Sequence, residues 1–182
     1  MILIGIDPEP SGAWCIWDTT KKELKFFTSH EDPHDRENQF ITDTPMVHWK
    51  VDHVCIEDAH VRPGMHATSM TKYVKSFGIW IGILYSSFDI YNKVKNPGGS
   101  TQLDIIHPAR WKSKLGLSGQ EKIGSYNLTK KIIQEEEFGL DYDEIMKQLK
   151  LSSTCDDKQI YDRCESFLIA YYGRLYCGPG TE

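Results

Sequence analysis

A chain of 182 residues, 40% of them hydrophobic, is long enough to bury the core of one domain, and its longest apolar run beyond the N-terminus, Phe77 to Tyr85, is far short of a membrane span. The net charge of −5 disfavours indiscriminate attraction to polyanions, although Arg110, Lys112, Lys114, Lys122, Lys130 and Lys131 stand against Glu121 alone within one segment. Five scattered cysteines with no C-x-x-C pair argue for reduced thiols and against a zinc site or disulfide framework, and the absence of a signal-like segment points to the cytoplasm.

The opening run Met1 to Pro8 is rich in isoleucine and ends on Asp7. It predicts a strand covered on both faces, at the middle of a sheet, with Asp7 at the edge where open α/β sheets place ligand chemistry. Asp7 could equally open a turn with Pro8, Pro10 and Gly12. Ala13–Asp18 and Glu23–Phe27 follow as strands joined by short turns, giving an antiparallel meander. His30 to Arg36 is polar and loop-like, and Glu37 to Trp49 carries a weak helical pattern broken by Pro45. His30, His34 and His48 have no metal-ligand spacing and are expected in solvent.

Val51 to Asp58 is the next strand and again ends on acid, with Asp58 a rival to Glu57. A parallel placement beside the first strand would bring Glu57 close to Asp7. Ala59 to Ala67 reads as a loop, and Thr68 or Ser69 can cap a helix running to about Phe88. Met70, Tyr73, Val74, Phe77, Ile81, Leu84 and Tyr85 recur at helical spacing. Gly78 and Gly82 suggest the close approach of another backbone, a second subunit ahead of the sheet, because Trp80 and Ile83 widen the apolar surface.

Asp89 to Val94 reads as a strand, Asn96 to Ser100 as a loop, and Leu103 to His107 as the last strand. A short helix opens at His107-Pro108 and closes at Gly116. Gln120 to Glu137 is amphipathic with Ile123, Leu128, Ile132 and Ile133 inward, and Leu140 to Leu151 is a further short helix. The final helix, Asp157 to Tyr176, buries Ile160, Cys164, Phe167, Leu168, Tyr171 and Leu175. It places Asp162 and Glu165 side by side, three residues apart. Such a pair is either a solvated acidic face or half of a cation site.

Asp7, Glu57, Asp162 and Glu165 together offer hard oxygen ligands from two strands and one helix. Carboxylates, waters and substrate phosphate are what magnesium prefers. Two such ions about 4 Å apart can activate water and stabilise a leaving oxygen in phosphodiester hydrolysis.

Several motifs occur in order along most of the chain: Ile4-Gly5-Ile6-Asp7 with Ser11-Gly12-Ala13, Ile56-Glu57 with Pro63-Gly64 and Thr68-Ser69-Met70, and Phe77-Gly78-Ile79. Pro108-Ala109-Arg110-Trp111-Lys112, Leu115-Gly116-Leu117 and Asp162 to Ala170 complete the series. In this set the chain resembles the RuvC-like Holliday junction resolvases of the RNase H-like superfamily, phage-type branch. The resemblance implies an α/β, RNase H-like fold in a single domain over residues 1–182. Its central mixed five-stranded sheet combines an antiparallel meander with parallel strands and is flanked by helices.

The resemblance further implies a homodimeric endonuclease dependent on Mg2+ or Mn2+, with two ions per site, that resolves four-way DNA junctions by paired nicks. It would act in the cytoplasm of a phage's bacterial host, without membrane attachment. Asp7, Glu57, Asp162 and Glu165 match the metal-binding acids, with Asp157 the alternative third ligand in another helix register. Lys122 matches a catalytic lysine, and Arg62, His66, Arg110, Lys112 and Lys114 would contact DNA. The loop departs from relatives at Met65-His66, and Tyr161 stands where many phage relatives carry the third acid. A nuclease acting on RNA–DNA hybrids or branched DNA generally would use the same acids, and a non-catalytic junction-binding protein is the third reading. A two-lobed sugar kinase needs a longer chain.

Overall fold

The computed structural model describes residues 1–30, 32–44, 51–60, 64–94, 101–135, 138–150 and 157–177, with side chains described except at 89–94. Five strands, β1 (Ile2–Ile6), β2 (Ala13–Asp18), β3 (Glu23–Thr28), β4 (His53–Glu57) and β5 (Gln102–Ile106), form one sheet in the order β3-β2-β1-β4-β5. The β1–β2 and β2–β3 pairs are antiparallel, and the β1–β4 and β4–β5 pairs are parallel. The isoleucine-rich first strand is thus central, as its two-faced apolarity predicts. The mixed five-stranded sheet of the expected fold class is present.

Alternation along the strands divides the core. Leu3, Cys15, Trp17 and Cys55 point to one face, where they meet Cys164, Phe167 and Leu168 of α6 (Asp157–Tyr176). Ile4, Ile6, Trp14, Ile16, Val54 and Ile56 point to the other, where they meet Trp80, Ile83 and Leu84 of α2 (Ala67–Val94) and Phe40 of α1 (Pro33–Asp43). The helices α3 (Pro108–Lys114), α4 (Lys122–Gln134) and α5 (Tyr142–Leu149) complete the described elements, and α4 packs on α6. With the sheet below and α4 and α5 above, residues 164–170 of α6 are buried on every side instead of along one stripe.

Gly5 sets how closely α6 approaches the sheet. A Cβ at this position would lie 2.0 Å from the Ser166 carbonyl oxygen and 2.9 Å from the Ala170 Cβ. Only a residue without a side chain admits the helix there, and this contact fixes the height of Asp162 and Glu165 above the end of β1.

Several expectations are corrected. Asp89–Val94 is the last part of α2, not a strand: no breaker separates it from Phe88, and the helix simply continues. Asp32 caps α1 by accepting from the His34 and Asp35 amides, and Pro33 follows at the first helical position, so residues 33–36 are helical and not a loop. The inward stripe of α2 runs through Ser76, Trp80, Ile83, Leu84, Ser87 and Phe88, whereas Val74 and Tyr85 are exposed.

The large Trp80 ring decides that rotation by fitting edge-on against Trp14 and Phe40, and the buried Arg36 guanidinium pins it by donating to Ser76 Oγ at 2.7 Å. Among the described residues, a Cβ at Gly78 or Gly82 would have nothing within 4 Å, so the sheet is not what they approach. Thr68 and Ser69 lie inside the first turn of α2, which begins at Ala67. Ile123 and Leu175 are exposed, not inward. The expected break at Pro45, His48, the loop at 96–100 and Arg62 lie outside the described residues.

Candidate active site

Asp7 follows β1 directly, with its amide donating to the Ala13 carbonyl at 2.9 Å, so the meander itself fixes its backbone. Glu57 closes β4, one strand over and parallel, at the same edge. Asp162 and Glu165 reach that edge from α6. All four carboxylates are buried, Asp162 completely and Glu165 to 7% exposure, so the helix pair is not a solvated acidic face. Asp58 is only partly buried, and its backbone is occupied with Ile106, His60 and Tyr73, while Asp157 is exposed at the start of α6.

Neutral donors and lysines hold three of the four acids. Trp111 Nε1 donates to Glu57 Oε2 at 2.7 Å and the Tyr73 hydroxyl to Oε1 at 3.3 Å. Ser125 donates to Glu165 Oε1 at 3.1 Å, and the Lys112 ammonium lies 3.3 Å from the same carboxylate. Lys122 and Lys158 take one oxygen each of Asp162, at 3.0 and 2.8 Å, and Lys158 also reaches Glu9 at 3.1 Å.

Asp7 differs. Its Oδ1 accepts from the Glu9 amide at 3.2 Å, but its Oδ2 is buried without a hydrogen-bond partner among the described residues. A buried, unpartnered carboxylate oxygen is costly and calls for a counter-charge.

Electrostatics agree with the geometry. Burial, then the charges of Glu9, Glu57, Glu165 and Asp162, push the Asp7 pKa well up. Burial likewise raises that of Glu57, against the pull of Lys112. For Glu9 the neighbouring Lys122 and Lys158 outweigh burial and hold the carboxyl below its usual range. For Lys122 the charges of Asp162 and Glu9 outweigh burial in the same way and raise the ammonium. A cleft of about 410 Å³ opens over this edge, lined by Glu9, Glu57, Tyr73, Lys112, Lys122 and Glu165 among others.

The donor set is what a hard divalent cation requires: four carboxylates, one with an orphaned buried oxygen, beside an open cleft. Among the described residues no three of these acids bring an oxygen each within 4.8 Å of one another. The lysines explain the spacing, since their ammonium groups supply positive charge beside Asp162 and Glu165 directly.

The other residues expected at DNA distribute unevenly. Lys112 and Lys122 line the cleft, and His66 is exposed just before α2. Arg110 lies against Tyr172 and Lys114 over the Tyr176 ring, toward the C-terminal end of α6 and away from the acids. Sequence reasoning missed Glu9, Lys158, Tyr73, Trp111 and Ser125. Lys158 was detectable as an i,i+4 partner of Asp162, but the other four become partners only through tertiary contact.

No family model matches the sequence, and no curated protein matches it. Among solved structures the chain is similar to T. thermophilus RuvC in complex with Holliday junction substrate, at 13% identity and a TM-score of 0.54, over 100% of this chain and 98% of the other. It is also similar to the yeast mitochondrial Holliday junction resolvase Ydc2, at 15% identity and a TM-score of 0.60, over 93% of this chain and 76% of the other. At such identities the likeness is one of fold: the mixed sheet and its flanking helices are similar to those of these two structures.

Proposed function

We propose that this chain, acting as one nuclease domain over residues 1–182, is a divalent-metal-dependent endonuclease that cleaves branched DNA and resolves four-way junctions. The observation that carries the reading is the convergence of Asp7, Glu57, Asp162 and Glu165 at one sheet edge, with an Asp7 oxygen left without a partner. The shared fold with resolvases, one of them in complex with a Holliday junction, supports the substrate class. The ordered motifs support the phage-type branch, and paired nicking of opposed strands needs two sites, hence a homodimer.

In this reading the four acids would hold Mg2+ or Mn2+. Such ions, when bound, lower the pKa of an attacking water and take up charge on the leaving oxygen. The chain's own groups do the rest. Trp111 and Tyr73 orient the Glu57 carboxylate, and Ser125 orients that of Glu165. Lys112 and Lys122, at the cleft wall, bind the phosphodiester as point charges and steady the charge that develops on it.

Immobile and mobile labelled junctions, a fork and an RNA–DNA hybrid, each incubated with magnesium and mapped on every strand, test the assignment. Symmetric nicks in the junctions are expected, with the hybrid left intact. Asp7→Asn protein should bind the junction and leave it uncut. Cutting by Asp7→Asn at the wild-type rate would remove the acids from the chemistry, and preferential cleavage of the hybrid would change the substrate class.

A further inference from the structure

On the face of the sheet that α6 covers, three chemically different donors meet apart from the acidic edge. The parallel register of β4 and β5 sets His53 opposite Gln102 and Cys55 opposite Asp104. Residues two apart on a strand share a face, so His53, Cys55 and Asp104 all project to the same side. His53 Nε2 lies 2.5 Å from Asp104 Oδ2 and 3.4 Å from Cys55 Sγ, and one donor atom of each residue lies within 4.8 Å of the others. His53 and Cys55 are buried, while the Asp104 side chain is 32% exposed and gives the cluster its access to solvent.

We propose that His53, Cys55 and Asp104 form a binding site for a transition-metal ion of zinc type. Imidazole, thiolate and carboxylate are zinc's three ligand kinds, and its usual bond lengths imply ligand atoms about 3.3–3.6 Å apart in a tetrahedron. The sulfur–nitrogen separation already has that value. The carboxylate has to withdraw from the imidazole by less than about 1 Å to match, and its exposed side leaves it free to do so.

Two neighbours support the site. Gln102 Nε2 donates to Asp104 Oδ2 at 2.8 Å and to the Cys177 carbonyl at 2.7 Å, orienting the carboxylate from behind as outer-shell partners of metal ligands do. Gly173 stands over the sulfur. A Cβ there would lie 2.1 Å from Cys55 Sγ, so a helix-weakening glycine in α6 is what leaves the thiol its space.

On binding, the Cys55 thiol proton leaves to solvent and the His53 hydrogen moves from Nε2 to Nδ1. Thiolate and carboxylate then balance the two charges of the ion, and a water completes the fourth position at the Asp104 rim. The thiolate makes the site a poor one for Mg2+, so it does not compete for the hard cation expected at the acidic edge.

The test is a titration of the full, metal-stripped chain with Co2+ in the presence of excess Mg2+, read by absorption and by metal content. One cobalt per chain with a sulfur-to-cobalt charge-transfer band, displaced by Zn2+, is expected. Cys55→Ser should abolish the band, Asp104→Asn, which removes a direct ligand's charge, should weaken binding at least as much as the loss of an outer-shell partner, about 10-fold or more, and Asp7→Asn should leave both unchanged. The proposal is overturned by a wild-type protein with no thiolate band, as a plain His–Asp hydrogen bond beside an inert thiol would give. It is equally overturned by a band that survives Cys55→Ser, or by uptake lost in Asp7→Asn alone. Should Cys55→Ser fail to fold, the wild-type band and the rim variant Asp104→Asn decide.

Discussion

Burial and the surrounding acids push the Asp7 pKa upward, so the metal-free folded chain binds that proton more tightly than the unfolded chain does. Such a group favours unfolding increasingly as pH rises from the ordinary aspartate value of 3.8 through the raised one, and its penalty vanishes at more acidic pH. Asp7→Asn removes the penalty. In EDTA at pH 8 its Tm should therefore exceed that of the wild type by a few degrees, about 2–4 °C per kcal/mol for a chain of this length. The gap should close in acid, and magnesium should raise the wild type alone; thermal scans at several pH values with and without the ion check all three. Trp111→Phe replaces the buried indole with a smaller aromatic ring and deletes the 2.7 Å donation to Glu57. It should lower Tm, because Trp111 is fully buried and the smaller ring leaves a cavity, and should raise the magnesium requirement of cleavage by about 10–100-fold, measured by rate against ion concentration at a temperature where the variant stays folded. These two residues differ in how far the sequence exposes them. An acid that ends an apolar run, as Asp7 and Glu57 do, is visible in one dimension. Trp111 is visible only as an aromatic, because its acceptor lies 54 positions away.

The strands and α6 were legible as elements because their apolar runs and spacing admit one reading: β2 and α6 have the boundaries the pattern predicts. Asp89–Val94 did not, since Ile90, Tyr91 and Val94 suit a strand as well as a helix and only continuity with α2 decides. The rotation of α2 was equally hidden, being set by Arg36 and by the Trp80 ring against residues far away in sequence. How α6 lies on β1 yields a prediction at this scale. Gly5→Ala puts a methyl group 2.0 Å from a backbone oxygen, and helix and strand must part to accept it. Overpacking of this kind costs about 1–3 kcal/mol, read as a lower urea midpoint with unchanged slope. Cleavage should fall further than stability does, because the same shift lifts Asp162 and Glu165 away from Asp7.

For the molecule as a whole, the proposed paired nicking would require two copies, and the outer face of α2 is where such an interface is expected. Val74 is 47% exposed and Tyr85 64%, and among the described residues nothing lies within 4 Å of a Cβ at Gly78 or Gly82 beside them. Gly78→Leu should lower the association constant measured by sedimentation and convert paired nicks into single ones at limiting protein. Unchanged dimers would assign the contact to another face. Long-range register also explains why cysteine spacing argues against zinc while the fold brings His53, Cys55 and Asp104 together: the third donor arrives on a different strand.

Lys112, Lys122 and Lys158 spend their charge on the chain's own carboxylates. A divalent ion seated among those acids would release the ammonium groups toward any phosphate entering the cleft, and a phosphate that drew them off would leave the acids freer for the ion. The two ligands are then thermodynamically coupled, and reciprocity demands one factor for both directions. The amount by which magnesium tightens a non-cleavable junction should equal the amount by which that junction tightens magnesium. Alanine at Lys122 and Lys158 should reduce both together.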